Sequence, residues 1–378
     1  MVESKPPSPF CPGKKMVFKL TESTNADISR DTESAFDSGM MLTAGRHPLA
    51  ATLERALFER CMFSSDSSLL IGCSGGADST ALSVLMAALA RRRHPRITSP
   101  VLMHVDHGLR SESSRQAEQV RRLASRIGVD VRTMSLDMNP DLADLSATAR
   151  RLRYAALHDV ASELGCSHVA CAHHAEDRFE TIIHGLCRGV GTEALSNPRW
   201  CRQMDSVTLV RPFLGVSRLE LRDFCHSLDL EFFDDPSNED LTTMRGSLRD
   251  SVLPPLEERW PGASCRASAA IDRLSVAADS LERELSGILS KVPDEHLDLS
   301  TIDNDDPGFI AALVRKWILR YACSRGHDLR DRLASSLFED IARAVGDQVQ
   351  RPRSFECAAE LVVQLRGKSL VIHLIGSD

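Results

Sequence analysis

Ile71-Gly72-Cys73-Ser74-Gly75-Gly76-Ala77-Asp78-Ser79 decides the fold. It follows a short apolar run, Leu69 to Ile71, and opens an Ala- and Leu-rich segment, Thr80 to Ala90. That order reads as strand, tight glycine loop, helix. Such a loop turns several backbone N–H groups into one concavity at a helix N-terminus, where phosphate is favoured. Gly75 and Gly76 permit close backbone approach, and Ser74 and Ser79 add hydroxyl donors. Asp78 is the odd member. A carboxylate beside bound phosphate is repulsive unless it holds a cation or positions the loop, so it points to a magnesium contact. The spacing is neither G-x-x-x-x-G-K-[ST] nor G-x-G-x-x-G, which disfavours a Walker loop and a dinucleotide fold.

Outward from the loop, strand and helix patterns alternate. Strands are expected at Leu69–Cys73, Val101–Val105, Val131–Leu136, His168–Ala172 and Thr208–Arg211. Helices are expected at Ser79–Arg91, Ser113–Ile127, Ala147–Leu164, Asp177–Arg188 and Arg218–Leu228. The fold class that follows is α/β, a doubly wound and mainly parallel sheet, whose ligands sit at the carboxyl ends of strands. After Pro254-Pro255 the pattern turns helical. A long helix, Ala263 to Lys291, is followed by helices at Phe309–Arg325 and Leu329–Ala344, then by strands near Phe355–Leu365 and Ser369–Leu374. We therefore expect a tail over residues 1–50, a loop-bearing domain over 51–262, and a smaller, mostly helical domain with a terminal hairpin over 263–378. Pro6, Pro7, Pro9 and Pro12 deny the tail any periodicity, and Met16, Met40 and Met41 leave a later start open. The tail has neither the apolar core of a secretory signal nor the acid-poor composition of a transit peptide.

The 378 residues, 42% hydrophobic and 26% charged, are those of a soluble globular chain of about two domains. No apolar run approaches the roughly 20 residues that span a bilayer, so no membrane partner is expected. Eleven cysteines without a Cys-x-x-Cys pair suit reduced thiols in a cytoplasmic protein. The net charge of −7 does not advertise a nucleic-acid binder, but Arg91 to Val160 carries 13 Arg and Lys against 8 Asp and Glu, a local +5. Clusters at Arg91, Arg92, Arg93, Arg96 and at Arg150, Arg151, Arg153 can contact phosphates or can be solvated helix faces.

Four further blocks carry polar chemistry. Asp106-His107-Gly108-Leu109-Arg110 leaves the second strand; alone it reads equally as an Asx turn. Ala149-Arg150-Arg151-Leu152-Arg153-Tyr154 puts Arg150 and Arg153 on one helical face. Ala172-His173-His174-Ala175-Glu176-Asp177-Arg178-Phe179-Glu180-Thr181 passes from strand end into helix, with Asp177 and Glu180 facing the same way. Two such carboxylates can grip an ammonium or a metal ion; the His spacing is wrong for a helical zinc site. Asp235-Pro236-Ser237-Asn238 is turn chemistry, followed by a helix with Arg245 and Arg249 on one face.

In this order the blocks resemble the tRNA(Ile)-lysidine synthases, a family of N-type ATP pyrophosphatases with the PP-loop and an adenine nucleotide alpha hydrolase-like sheet. The match runs from about Leu69 to Gly262 and more loosely beyond. The resemblance implies a carbon–nitrogen ligase that uses ATP and magnesium, takes tRNA(Ile) with the anticodon CAU and free L-lysine, and forms lysidine through an adenylated tRNA. It implies that Ser74, Gly75, Gly76, Ala77, Asp78 and Ser79 hold ATP phosphates, with Asp78 on the magnesium. Asp177 and Glu180 correspond to the lysine-binding pair, His173 to the residue near the reacting phosphate, and Arg153 and Arg245 to arginines that steady negative charge. Three positions depart from the family pattern: Glu176 for Asp, Arg178 for Gln, and Gly246 for Asn. Arg178 would set a cation beside the lysine site, and Gly246 removes an amide and weakens its helix by about 1 kcal/mol relative to Ala. Those departures keep a second reading open, a degenerate paralogue that binds tRNA or ATP without turnover. Another loop-bearing tRNA-modifying enzyme, such as a thiolase, would need cysteine pairs that are missing. A homodimer is one of the assemblies the sequence leaves open.

Overall fold

The computed structural model describes residues 19–23, 36–92, 96–106, 113–136, 145–234, 243–327, 329, 333–347, 351–357 and 361–374. Arg93, His107 to Arg110 and the Asp235–Asp240 turn lie outside the described residues.

The described residues up to Cys187, with Asn197–Asp272, form one compact unit. Its strands are β1 (Lys19–Ser23), β2 (Leu69–Gly72), β3 (Val101–Asp106), β4 (Asp130–Ser135), β5 (His168–Ala170), β6 (Cys201–Met204) and β7 (Val207–Val210). They make one sheet in the order β1-β4-β3-β2-β5-β7-β6. The five central strands are parallel, and both edges, β1 on β4 and β6 on β7, are antiparallel. The expected doubly wound, mainly parallel sheet is therefore present. From β2 the chain steps to β3 and β4 on one side, then returns to β5 on the other. That reversal opens a crevice at the carboxyl ends of β2 and β5, where ligands of such sheets bind.

Helices α1 (Ser38–Arg46), α2 (Pro48–Arg60), α3 (Ala77–Ala90), α4 (Ser113–Ile127), α5 (Leu145–Glu163) and α6 (Ala175–Cys187) cover the sheet or its ends. The helix that leaves the glycine loop, α3, is apolar on every side because it is packed on every side. From Ala77 to Leu89 every residue but Asp78 is buried. It shares one core with α1, α2 and α4 on one face of the sheet. The other face is closed by α5, whose Tyr154, Leu157 and Val160 pack on Leu70, Met103 and Val169. Each fully buried Leu, Val or Met contributes about 1.5–3 kcal/mol. The loop is thus anchored at both ends by buried elements, β2 before it and α3 after it.

Residues 1–50 are not tail throughout. Helix α1 is capped by the Asp37 carboxylate, which accepts from Met40 N–H at 2.8 Å, and buries Met40, Met41 and Ala44. β1 adds an edge strand to β4. Both were hidden by the proline- and serine-rich composition around them. The strand expected at Thr208–Arg211 is one arm of a hairpin; its partner β6 is too short and polar to show an alternation.

The second unit holds Arg188–Ser196, with the short helix α7 (Thr192–Leu195), and the residues from Arg273 onward. In the first unit, helix α8 (Arg218–Ser227) is followed by α9 (Met244–Ser247), a π turn at Leu248–Val252 and α10 (Leu253–Arg259). The long helix α11 (Ala263–Leu289) contains the division between the units, at Asp272/Arg273 rather than at 262/263. Its first turns belong to the sheet unit because Ser268 and Asp272 bind a buried arginine there, as described below. In the second unit α12 (Pro307–Ser324) and α13 (Ser335–Gly346) pack around Trp317 against a four-stranded antiparallel sheet. The expected hairpin is the β10 (Leu361–Arg366) and β11 (Ser369–Leu374) pair. It is flanked by β9 (Arg353–Glu356) and β8 (His296–Asp298), three- and four-residue strands below the length at which periodicity is visible.

Candidate active site

The loop after β2 is held from both sides. Cys73 N–H donates to Met103 O at 2.8 Å, and Gly75 O accepts from Phe233 N–H at 2.8 Å. Gly75 has φ +87°, which a side chain would strain. Ser74 and Ser79 hydroxyls lie 3.2 Å apart, and Ser79 donates to Gly76 O at 3.0 Å. Gly76 is the N-cap of α3 and offers no side chain to its first N–H groups, which leaves them for a ligand.

A cavity of about 350 Å³ opens over this loop. Ser74, Gly76, Asp78 and Ser79 line it from β2 and α3; His173, His174 and Asp177 line it from the end of β5 and the start of α6; Arg153, Arg218 and Arg249 also reach it. Asp78 Oδ1 is buried without a hydrogen-bond partner, while Oδ2 lies 3.6 Å from His174 Nε2. Burial pushes the Asp78 carboxyl up, His174 opposing and Asp177 adding to it. Among the described residues no group of three or more His, Cys, Asp or Glu could hold a metal. An orphaned oxygen beside a phosphate cradle still fits magnesium, which binds through one or two carboxylates with phosphate and water oxygens completing the shell.

His174 is the hub. Its Nδ1 lies 3.0 Å from Glu176 Oε2, and Nε2 lies 3.6 Å from both Asp78 and Asp177. Burial opposes its charge, but Asp177, the Glu176 hydrogen bond and Asp78 outweigh that and hold the imidazole up to about 9. Glu176 also accepts from Arg218 N–H at 2.9 Å, so the departure from Asp gives a longer arm that ties α6 to α8. His173 is the opposite case. Burial, with Arg211, Arg150 and Arg153 close by, drives it well below the usual histidine range against the pull of Asp177, and its Nδ1 has no partner.

Asp177 and Glu180 do face the same way, and one residue fills the space between them. Arg249 Nη2 donates to Asp177 Oδ1 at 2.8 Å, and Arg249 Nε donates to Glu180 Oε1. Burial works against the Asp177 charge, but His174, His173 and Arg249 hold it well below the carboxylate range. Burial pushes Glu180 up, and Arg249 restrains it. Sequence reasoning set Arg249 beside Arg245 on one helical face and missed this pairing. The π turn that carries Arg249 breaks the α pattern on which that face rested. Arg245 is exposed and does not line the cavity, whereas Arg153 does, with Nε buried and unpartnered. Gly246 is buried, and its N–H donates to Thr243 Oγ1 at 3.0 Å to cap the short helix.

Arg178 does not enter the space between Asp177 and Glu180. It turns away from Asp177 and is fully buried, donating to Pro198 O at 3.0 Å, Ser268 Oγ at 2.9 Å and Asp272 Oδ1 at 2.6 Å beside the Trp200 ring. Asp272 also accepts from Trp200 Nε1 at 2.8 Å. The cation at this position is structural, which removes its share of the case for a degenerate site. Arg178→Leu is expected to lower stability by roughly 2–3 kcal/mol in a urea titration. That is less than the ~3–5 kcal/mol of a fully buried pair, because Asp272 keeps some solvent and its bond to Trp200. A change below about 0.5 kcal/mol would show the network to be dispensable.

The PP-loop domain family matches residues 48–256. The tRNA(Ile)-lysidine synthase of Synechococcus sp. is 34% identical over 235 residues, 62% of this chain and 70% of that protein. That of Bordetella parapertussis is 30% identical over 303 residues, 79% of this chain and 82% of that protein. That of Alkalilimnicola ehrlichii is 35% identical over 257 residues, and there the match spans 67% of this chain but 56% of the longer relative. Among solved structures, the U34-tRNA thiolase NcsA from Methanococcus maripaludis shares the fold, with TM-score 0.50 and 17% identity over 60% of this chain and 78% of that one. Sheet, loop and relatives converge: the chain belongs to the PP-loop domain family and, within it, to the tRNA(Ile)-lysidine synthases.

Proposed function

We propose that this chain joins L-lysine to C2 of the wobble cytidine of a tRNA(Ile) with anticodon CAU. The observation that carries the reading is one cavity with a phosphate cradle at one end and, at the other, Asp177 and the Arg249 guanidinium that joins it to buried Glu180. In the first step the cytosine 2-oxo oxygen attacks the α phosphate of ATP and pyrophosphate leaves. In the second the lysine side-chain amine attacks C2, the C–O bond to AMP breaks, and the amine gives up a proton.

Each step has residues suited to it. The N–H groups at the start of α3, with Ser74 and Ser79, meet the triphosphate charge where it changes most. Asp78 would hold magnesium, which when bound supplies Lewis-acid polarisation of phosphate oxygens. Protonated His174 keeps three neighbouring carboxylates from repelling one another. Arg153 brings a guanidinium to the cavity wall, and Arg245 stands outside it as a contact for the RNA. Asp177 and Glu180 bind the ammonium and orient it. His173, uncharged, is available to take up the proton that the amine releases. Holding three substrates in one cavity supplies the entropic part of the rate.

Incubation of the full chain with unmodified tRNA(Ile) transcript, ATP, magnesium and lysine tests this. Nucleoside mass spectrometry should show a cytidine that has gained one lysine less one water, and AMP should form in equal amount. Binding of tRNA and ATP with no AMP formed would favour the degenerate paralogue instead.

A further inference from the structure

The geometry points to a second anion site, built from Arg150, Arg153, Arg202 and Arg211 around Tyr154, that takes backbone phosphates of the RNA next to the reacting nucleotide. Three guanidiniums face the Tyr154 ring, Arg150 at 5.1 Å, Arg153 at 5.6 Å and Arg202 at 5.5 Å from its centroid. Arg150 also donates to the Tyr154 hydroxyl at 3.1 Å. Arg211 is buried behind them, with Nη1 donating to Arg199 O at 2.8 Å. Among the described residues Arg150, Arg153 and Arg211 have no carboxylate in an ion pair. Two of their nitrogens, Arg153 Nε and Arg211 Nε, are buried with no acceptor at all.

Buried donors are satisfied in nearly all native structures, so orphans on neighbouring arginines mark a missing acceptor. Burial and the mutual repulsion of the group also lower the affinity of Arg150 and Arg202 for their protons. Arg150, Arg153 and Arg211, gathered without a carboxylate partner among the described residues, are costly unless an anion completes them. The arginines are already arranged to receive phosphate. The Tyr154 ring and its hydroxyl help hold the guanidinium forks in place, and such forks bind phosphate through two parallel bonds.

ATP does not account for the cluster. Of the four, only Arg153 lines the cavity over the glycine loop. The others run from Arg153 out to Arg202, which is exposed. An RNA strand whose base enters the cavity would leave its flanking phosphates along that path. This assignment rests on the reading of the chain as a tRNA-modifying enzyme, and its test keeps the two apart.

The test is equilibrium binding of unmodified tRNA(Ile) transcript to the full chain, without ATP, over a series of salt concentrations. Each phosphate contact to a single strand contributes about 0.7 to the slope of log affinity against log salt. Arg150→Gln with Arg202→Gln should flatten the slope by about 1.4 and weaken binding roughly 10-fold at moderate salt, with ATP affinity unchanged. Arg202→Gln alone, at an exposed position, should flatten it by about 0.7 and serves if the double variant melts early. An unchanged slope overturns the assignment, and so does a weakened affinity for ATP or pyrophosphate with tRNA binding intact. If the wild-type chain binds no tRNA even at low salt, the functional reading itself falls.

Discussion

Asp78→Ala is expected to cut adenylation by about 10³-fold or more while leaving the fold as stable as before, or more so. The two halves of that expectation share one cause. Asp78 is the one unburied side chain in a helical run that is otherwise core, and its Oδ1 has no donor. A buried oxygen without a partner costs about 1–3 kcal/mol of folding free energy. Its nearest cation, His174, stands 3.6 Å from the other oxygen, beyond hydrogen-bond reach. The carboxylate therefore contributes little to the folded state as it stands, and a small apolar side chain at a good helix position should be tolerated. The loss appears when triphosphate and its cation arrive. A metal contact at a transferring phosphoryl group supplies several kcal/mol, and each 1.36 kcal/mol is tenfold in rate. Single-turnover release of pyrophosphate with tRNA, together with a thermal melt, checks both halves. Near-normal turnover at ordinary magnesium would make Asp78 a structural residue. A large drop in melting temperature would mean that its 3.6 Å neighbours matter more than its free oxygen.

The parts of this site visible in the sequence are those set by local geometry. A glycine loop between strand and helix, two carboxylates three apart on a helix, and a sheet that places both at strand ends all follow from spacing within about ten residues. What stayed hidden depends on distant partners. Arg178 looked like a cation in the amine pocket because Asp177 is its sequence neighbour; Ser268 and Asp272, some ninety residues on, turn it the other way. Arg249 looked like a second Arg245 because an α repeat was assumed across a π turn. The orphaned Arg153 and Arg211 nitrogens come from a helix and from the residue after a strand, which only the folded sheet brings together. Helix α1 was masked by its flanks, although Met40, Met41 and Ala44 carry the apolar spacing of a buried face.

Replacing both carboxylates, Asp177→Asn with Glu180→Gln, is expected to raise the lysine requirement by roughly 10²- to 10⁴-fold while adenylated tRNA still forms. Each charge-assisted hydrogen bond removed at a shielded site is worth about 1.5–3 kcal/mol, and the double variant removes two. The first chemical step needs ATP, its cation and RNA, none of which this pair must touch. Arg249 sharpens the expectation, because its guanidinium already occupies both carboxylates. On the proposed reading free lysine displaces it, and the measured affinity is a difference between two cations competing for one pair. Arg249→Met removes the internal competitor and should act in the opposite direction, lowering the lysine requirement by about tenfold, or about 1.4 kcal/mol. Its long apolar stem keeps the packing that the arginine stem provided. Burial already pushes Glu180 up, so loss of Arg249 lets it take up a proton more readily, and the gain should be larger at mildly alkaline pH than at acid pH. The assay traps the adenylated intermediate without lysine, then adds lysine and follows AMP release. No intermediate in the carboxylate variant would move the pair to ATP or metal binding. Wild-type lysine dependence in that variant would put the amine elsewhere. A raised lysine requirement in Arg249→Met would make Arg249 part of the lysine site instead of its rival, held by the same two carboxylates for the amino acid to lean on.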